Sequence, residues 1–249
     1  MEFRPLRKDE IDCRVAQIEK NWCTLLLYKD ARVDMNILDE TVGSMNWQKR
    51  YLRDNANCVV GIWDKDKNQW IEKEDTGTES FTEAEKGLAS DSFKRACFNW
   101  GIGRELYTAP SIFILPHKDM VPKGKDGEFF EYKDGKYTTK TRFYVDYIDY
   151  DEKRNITDLV IRDHKGNSRF EQLTKDTEKK INEQYLKMKN LIEKNEDKDD
   201  NFSRDEFYNF FSVSSDTQLT FEQRDKAIEL LEKRLKKWQN KKKNYLKGV

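Results

Sequence analysis

Phe81–Gly101, FTEAEKGLASDSFKRACFNWG, is the stretch that decides the fold. Thr82 and Glu85 have capping-box spacing, so a helix is expected to begin there. Apolar or small residues recur at Ala84, Leu88, Ala89, Phe93, Ala96, Cys97 and Trp100 with helical periodicity, and Gly101 and Gly103 supply the stop. One face of this helix is therefore expected to pack. Gly87, Ala89, Ser90 and Ser92 are small enough to admit a second backbone. The adjacent cations Lys94 and Arg95 have two readings: complements to the negative end of the helix dipole, or a phosphate-binding ridge.

Upstream, Asp75–Ser80 (DTGTES) reads as a turn feeding the helix. Asn57–Asp64 and Trp70–Asp75 read as a hairpin across the polar loop 64–69, preceded by a strand at Asn46–Leu52. Trp47, Trp63 and Trp70 are expected to be large core or sheet-face residues. Asp30 is placed to cap a helix over Ala31–Val42, striped by Val33, Ile37, Leu38 and Val42 and stopped by Gly43. Arg32 then sits in the first turn, where a cation opposes the dipole. Asp39 and Glu40 are too far along the helix to pair with it automatically, which leaves a bound anion as the other candidate. Trp22–Tyr28 (WCTLLLY) has strand length, and Arg4–Glu19 reads as a short helix through Ile11, Val15 and Ile18.

Downstream, Ser111–Leu115 reads as a short strand and Lys118–Lys140 as an exposed loop or hairpin tip. Arg142–Tyr150 alternates and is expected to pair with Ile156–Asp163, with Arg169–Phe170 closing the sheet region. From about Glu171 helical spacing takes over at Ile181, Tyr185, Met188 and Ile192. Lys194–Asp200 reads as a charged linker. Ser203–Glu206 and Thr220–Gln223 are two further capping boxes, the second ahead of a stripe at Ile228, Leu231, Leu235 and Trp238. Beyond Glu232 the chain carries no acids, so its last helix is basic and amphipathic. Docking on its own domain is the default for that helix; a partner or nucleic acid is the alternative. The domain organisation expected is a core over 1–171 and a charged helical region over 172–249.

The totals bound the function. The 249 residues carry 47 basic and 47 acidic side chains, so any cationic surface must be local. A mean hydropathy of −1.00 calls for a concentrated core, and no run reaches membrane-spanning length. Cys13, Cys23, Cys58 and Cys97 contain no CxxC pair and, without an apolar leader, are expected to be reduced core residues of a cytoplasmic protein. His117 and His164 are the only histidines, which argues against His-based triads and HExxH metal sites. No glycine loop ends in Lys-Ser or Lys-Thr. Glu72, Glu74 and Asp75 are the nearest approach to a two-metal nuclease cluster, but neither glutamate is followed two residues later by lysine. The sequence thus yields no catalytic residue, metal or cofactor.

The order of the pieces is more specific than any one of them. A strand ending at Tyr28 is followed by Arg32-Val33, Asp39-Glu40, Gly43 and Trp47. A Trp-bearing hairpin and the turn Glu74–Ser80 come next, and then Ala89-Ser90-Asp91-Ser92-Phe93-Lys94-Arg95-Ala96 ahead of Gly101. Over about residues 22–108 this resembles the single-strand annealing recombinases of the Rad-fifty-two/Rad-twenty-two double-strand-break repair family, closest to phage annealing proteins of the Sak type. The resemblance implies an α+β fold. Its β-β-β-α core would pack an antiparallel sheet on the long helix and assemble as a homo-oligomeric ring; residues 110–171 match only as sheet, and the helical C-terminal tail over 172–249 lies outside the resemblance. It implies single-stranded DNA in an outer basic groove, gripped by Arg32, Lys94 and Arg95. Family members often carry a further basic residue where this chain has Phe98, so Lys86, Lys49, Arg50 and Arg104 are the candidates to compensate. The activity implied is ATP-independent annealing in recombination and repair, in the host cytoplasm if phage-encoded, with a single-strand-binding protein as a possible partner of the tail. A metal-dependent nuclease acting on DNA ends and a non-annealing recombination adaptor are the alternatives.

Overall fold

Alternating stretches become strands and 3.6-periodic stretches become helices, giving a mixed α+β chain. The computed structural model describes residues 1–78, 84–115, 130–133, 135–198 and 201–247, with backbone alone for 84–86, 131, 133 and 243–247. The Thr82–Glu85 box, the side chain of Lys86, His117 and most of the 118–140 loop lie outside the described residues. The elements are β1 (Asp12–Glu19), β2 (Trp22–Tyr28), α1 (Ala31–Val42), β3 (Trp47–Leu52), β4 (Asn57–Asp64), β5 (Gln69–Thr76) and α2 (Ala84–Trp100). They continue with β6 (Ile112–Ile114), β7 (Glu131–Lys133), β8 (Lys136–Thr138), β9 (Phe143–Tyr150), β10 (Ile156–Asp163) and β11 (Ser168–Gln172). The chain ends with α3 (Lys175–Lys198), α4 (Arg204–Phe210) and α5 (Phe221–Lys247). Strands order as β11-β10-β9-β1-β2-β6 in one sheet and β3-β4-β5 in another, and β7-β8 form a separate hairpin.

The helix expected over Arg4–Glu19 is not formed. Lys8–Glu10 makes one 3-10 turn and Asp12–Glu19 is β1. Ile11, Val15 and Ile18 fit a helical stripe, but Ile11, Cys13 and Val15 also fit period two. Beside β2, across the two-residue turn 20–21, the strand period wins.

Two compact units divide the chain. The first comprises Met1–Ala16, Leu25–Ile112 and Tyr150–Ile156, and the second Gln17–Thr24, Phe113–Asp149 and Thr157–Val249.

In the first unit β3, β4 and β5 form an antiparallel meander, with Lys49 opposite Val60 and Val60 opposite Lys73. Successive side chains leave opposite faces, so Trp47, Lys49, Tyr51, Val60, Ile62 and Lys73 share one face and Arg50, Glu72 and Glu74 the other. The first face receives α2. Phe93, Ala96 and Cys97 are buried there, Trp47 stacks on Phe93 at 6.3 Å, and Trp100 Nε1 donates to Val60 O at 3.0 Å. The small residues of α2 do admit a second backbone, that of Gly77. A Cβ at Gly77 would lie 2.6 Å from Ser92 N and 2.7 Å from Leu88 O, so only glycine fits. Ser92 Oγ in turn donates to Asn55 O at 3.0 Å. Gly101, at φ +96°, ends the helix as expected. Cys23, Cys58 and Cys97 are buried, Cys13 half-buried, and all four are free thiols.

In the second unit α3, α4 and α5 enclose an apolar cluster of Met188, Leu191, Ile192, Tyr208, Phe211, Leu219, Ala227, Ile228, Leu231 and Leu235. The basic C-terminal helix docks through its Ile228-Leu231-Leu235 stripe within its own chain. Thr220 and Gln223 cap it reciprocally, each backbone N–H donating to the other's side-chain oxygen. The linker expected over Lys194–Asp200 is corrected as far as 198, because α3 continues through it; residues 199 and 200 lie outside the described residues. Asn195 explains the continuation. It is fully buried one turn beyond Leu191, with its amide donating to Leu191 O and Leu231 O, while the charged neighbours face solvent. No helix among the described residues is long and apolar enough to cross a membrane.

Candidate nucleic-acid interface

The expected DNA-contacting residues form two groups joined at Lys94–Arg95. The first lies where α1 begins. The Asp30 side chain accepts from the Arg32 backbone N–H at 2.8 Å, which is the N-cap, and also from Arg32 Nε at 3.0 Å and Nη2 at 3.2 Å. The first-turn cation therefore has a partner two residues back, and neither Asp39 nor Glu40 is needed. Capping fixes the Asp30 carboxylate beside the helix start, within reach of the guanidinium. These hydrogen bonds from Arg32 hold the Asp30 carboxyl below its usual range, with Lys94 adding to the effect. Arg32 remains 83% exposed, so its pairing is solvent-screened and open to exchange for a phosphate. Lys94 is half-buried and makes no hydrogen bond or ion pair among the described residues. Its charge reaches Asp30 and Asp34.

Beneath this group lies a buried pair, Lys29 and Asp34, whose side chains are 1% and 0% exposed. Lys29 Nζ also lies 4.5 Å over the Phe98 ring, and its aliphatic tail occupies the space that a Cβ at Gly103 would need. Burial pushes Asp34 up to about 6 against the pull of Lys29.

The second group lies at the end of α2. Arg95, Phe98, Asn99, Arg104, Tyr107 and Asp75 line a cleft of about 420 Å³. Arg95 Nε donates to Asp91 at 3.0 Å, and Asp91 also accepts from the Thr78 backbone N–H at 2.9 Å. Burial pushes the Asp91 carboxyl up, but the Thr78 and Arg95 hydrogen bonds together bring it below its usual range. Arg104 donates to Phe98 O at 2.5 Å and Asn99 O at 2.8 Å, completing the carbonyl end of α2 with a cation. Phe98 and Tyr107 meet edge to face at 5.2 Å, and Tyr107 is 71% exposed.

The remaining candidates are placed elsewhere. Lys49 faces α2, with Nζ 4.3 Å over the Phe93 ring. Arg50 projects from the opposite sheet face and pairs with Glu72 at 2.8 Å. Glu72 and Glu74 share that outer face while Asp75 alternates to the other, so the three carboxylates do not converge. Among the described residues no group of three or more His, Cys, Asp or Glu side chains could hold a metal ion.

Tyr107 is the residue that sequence reasoning missed, and Phe98 was noted there only as a lost cation. The pattern that could have found the pair is an aromatic nine residues before another, across Gly101 and Gly103. Those glycines fold Tyr107 back onto the helix end. Lys73 was also missed; it lies 4.5 Å over the Trp100 ring and donates to Asn99 O at 2.8 Å. No family model, curated protein or solved structure matches this chain.

Proposed function

We propose that this chain binds single-stranded DNA across the C-terminal half of α2 and anneals complementary strands without ATP, as a ring of identical subunits. The observation that carries the reading is the sequence of groups around Lys94–Arg95. Arg32 and Lys94 lie on one side, Arg95 and Arg104 on the other, and the Phe98–Tyr107 pair, of which Tyr107 is exposed, stands beside the second. Phosphates would exchange with solvent-screened carboxylate partners, releasing counterions. Such contacts position a strand without reading its sequence, and the aromatic pair offers a sequence-tolerant face to a base. Base pairing then supplies specificity, and many weak subunit contacts add through the ring. No step makes or breaks a covalent bond. In this reading the exposed lysines 236, 237, 241 and 242 of α5 serve a partner such as a single-strand-binding protein.

The test is annealing of two complementary labelled oligonucleotides without ATP, with and without magnesium, at two salt concentrations. Acceleration that falls with salt and leaves the strands intact is expected. Lack of acceleration overturns the proposal, and magnesium-dependent shortening of the strands favours a nuclease.

A further inference from the structure

The second unit holds a cavity of about 470 Å³ bordered by β10, β11, α3 and the start of α5, and three arginines line it: Arg162, Arg169 and Arg224. All three are nearly buried, with Arg162 3% and Arg224 6% exposed and the Arg169 side chain 4% exposed. Two of them are matched. Arg162 Nε donates to Asp146 at 2.6 Å and its Nη1 to Gly166 O and Thr217 O. Arg169 donates to Asp163 from Nε at 2.8 Å and from Nη2 at 2.6 Å.

Arg224 differs. Its side chain makes no hydrogen bond or ion pair among the described residues, and its Nε is buried without a partner. Its guanidinium lies 5.3 Å from the Tyr185 ring centre and 5.2 Å from that of Phe221. Ring faces attract the cation and fix its plane, but they leave its buried Nε–H without an acceptor. Arginine cannot escape by losing its proton, so the buried charge persists; Asp146 and Glu171 offset it only through space, and no anion touches it. Two carboxylates near the site, Asp146 and Asp163, are engaged by Arg162 and Arg169. Glu171 also lines the cavity, but it is solvent-exposed and accepts from Ser168 Oγ at 2.6 Å. Asn182 at the rim adds an amide, and Leu173, Ile181 and Phe221 add apolar wall.

We propose that this cavity binds a small phosphate monoester, with the Arg224 guanidinium as its principal donor. A planar fork of N–H groups matches phosphate oxygens. The volume lies within the range of small-molecule sites and exceeds what a bare phosphate fills, so an organic part belongs against the apolar wall. The site consists of second-unit residues only, and its test is independent of Lys94 and Arg95.

Calorimetric titration of the full chain tests it with inorganic phosphate, a nucleoside 5′-monophosphate and the corresponding unphosphorylated nucleoside. Both phosphates are expected to bind at one site per chain, the monophosphate more tightly, and the nucleoside not at all. R224Q is expected to weaken binding at least about tenfold. If R224Q fails to fold, N182D, which places a carboxylate at the exposed rim, decides in its place; a loss of about tenfold is expected. No heat from either phosphate, binding by the nucleoside alone, or unchanged affinity in the folded variants would overturn the proposal.

Discussion

Lys29 in the first unit meets a carboxylate, Asp34, whereas Arg224 in the second meets two aromatic rings and no carboxylate. Both cations are more than nine-tenths buried. Lys29 belongs to an internal ion pair, in which Asp34 Oδ2 keeps no hydrogen-bond partner, and what the pair supports is the geometry above it: Asp34 anchors α1, and the lysine stem fills the space at Gly103 below Phe98. Arg224 belongs to no such pair. Exposed cations complete the contrast. Arg32 and Arg95 are paired, but through contacts that water already screens, so a phosphate can replace the carboxylate at little cost. A buried matched pair therefore belongs to the fold, an exposed matched pair is available to a polyanion, and a buried unmatched cation calls for a ligand.

The sharpest way to break this comparison is to unmatch Lys29. Lys29→Met leaves Asp34 buried and alone, and a loss of about 3–5 kcal/mol in urea-measured stability is expected. A loss below 1 kcal/mol would mean that water already reaches the pair. Next is the exposed ridge. K94A/R95A is expected to slow annealing at least about tenfold with an unchanged circular dichroism spectrum. If Arg32, Lys94, Arg95 and Arg104 each neutralise one phosphate, log–log salt dependence has a slope of about −3 per subunit, and the double variant lowers it by about 1.4. Equal slopes in both proteins would remove these residues from the interface. Tyr107→Ala should weaken strand binding by about 1 kcal/mol with no change in salt slope, since stacking carries no counterion release; a reduced slope would contradict a stacking role.

Asp34 gives the pH test. Its folded value is raised to about 6 from an ordinary 3.8, so the folded chain retains a proton that the unfolded chain loses. Its contribution is full below the ordinary value and is lost as pH rises through about 6. The stability advantage of wild type over Asp34→Asn should therefore shrink from pH 4 to pH 7, and a constant difference would acquit Asp34. The smallest effect expected is that of Arg50→Ala. Arg50 projects from the sheet face away from α2, and strand affinity should change by less than about twofold.

Much of the first unit was legible because its signals are local. Asp30 before Ala31–Val42 and Gly101 after Trp100 are punctuation that works within one turn; strands 47–52 and 69–76 alternate, and 57–64 is a short apolar run between polar turns. Asp12–Glu19 was misread because its apolar spacing satisfies two periods, and only the neighbouring strand selects one. The 194–198 segment was misread because a run of charges resembles a linker until buried Asn195 is seen facing α5. The candidate cations were legible as residue types but not as partners. Asp30 was read as a cap and not as the counterion of Arg32, although one carboxylate does both.

The sequence by itself determined most of the helices and strands, where most of them stop, and which residues carry positive charge, because propensity, capping and periodicity act over a few residues. Tertiary structure alone decided what the other cations meet, those without a partner within one helical turn. Lys49 and Arg50 are adjacent in sequence, yet one lies over Phe93 and the other pairs with Glu72 on the opposite face. Arg162 and Arg224 are separated by three elements, yet they line one cavity, and only one of them touches a carboxylate. Burial and pairing are properties of long-range packing, and packing determines whether a cation stabilises the fold or remains available to a ligand.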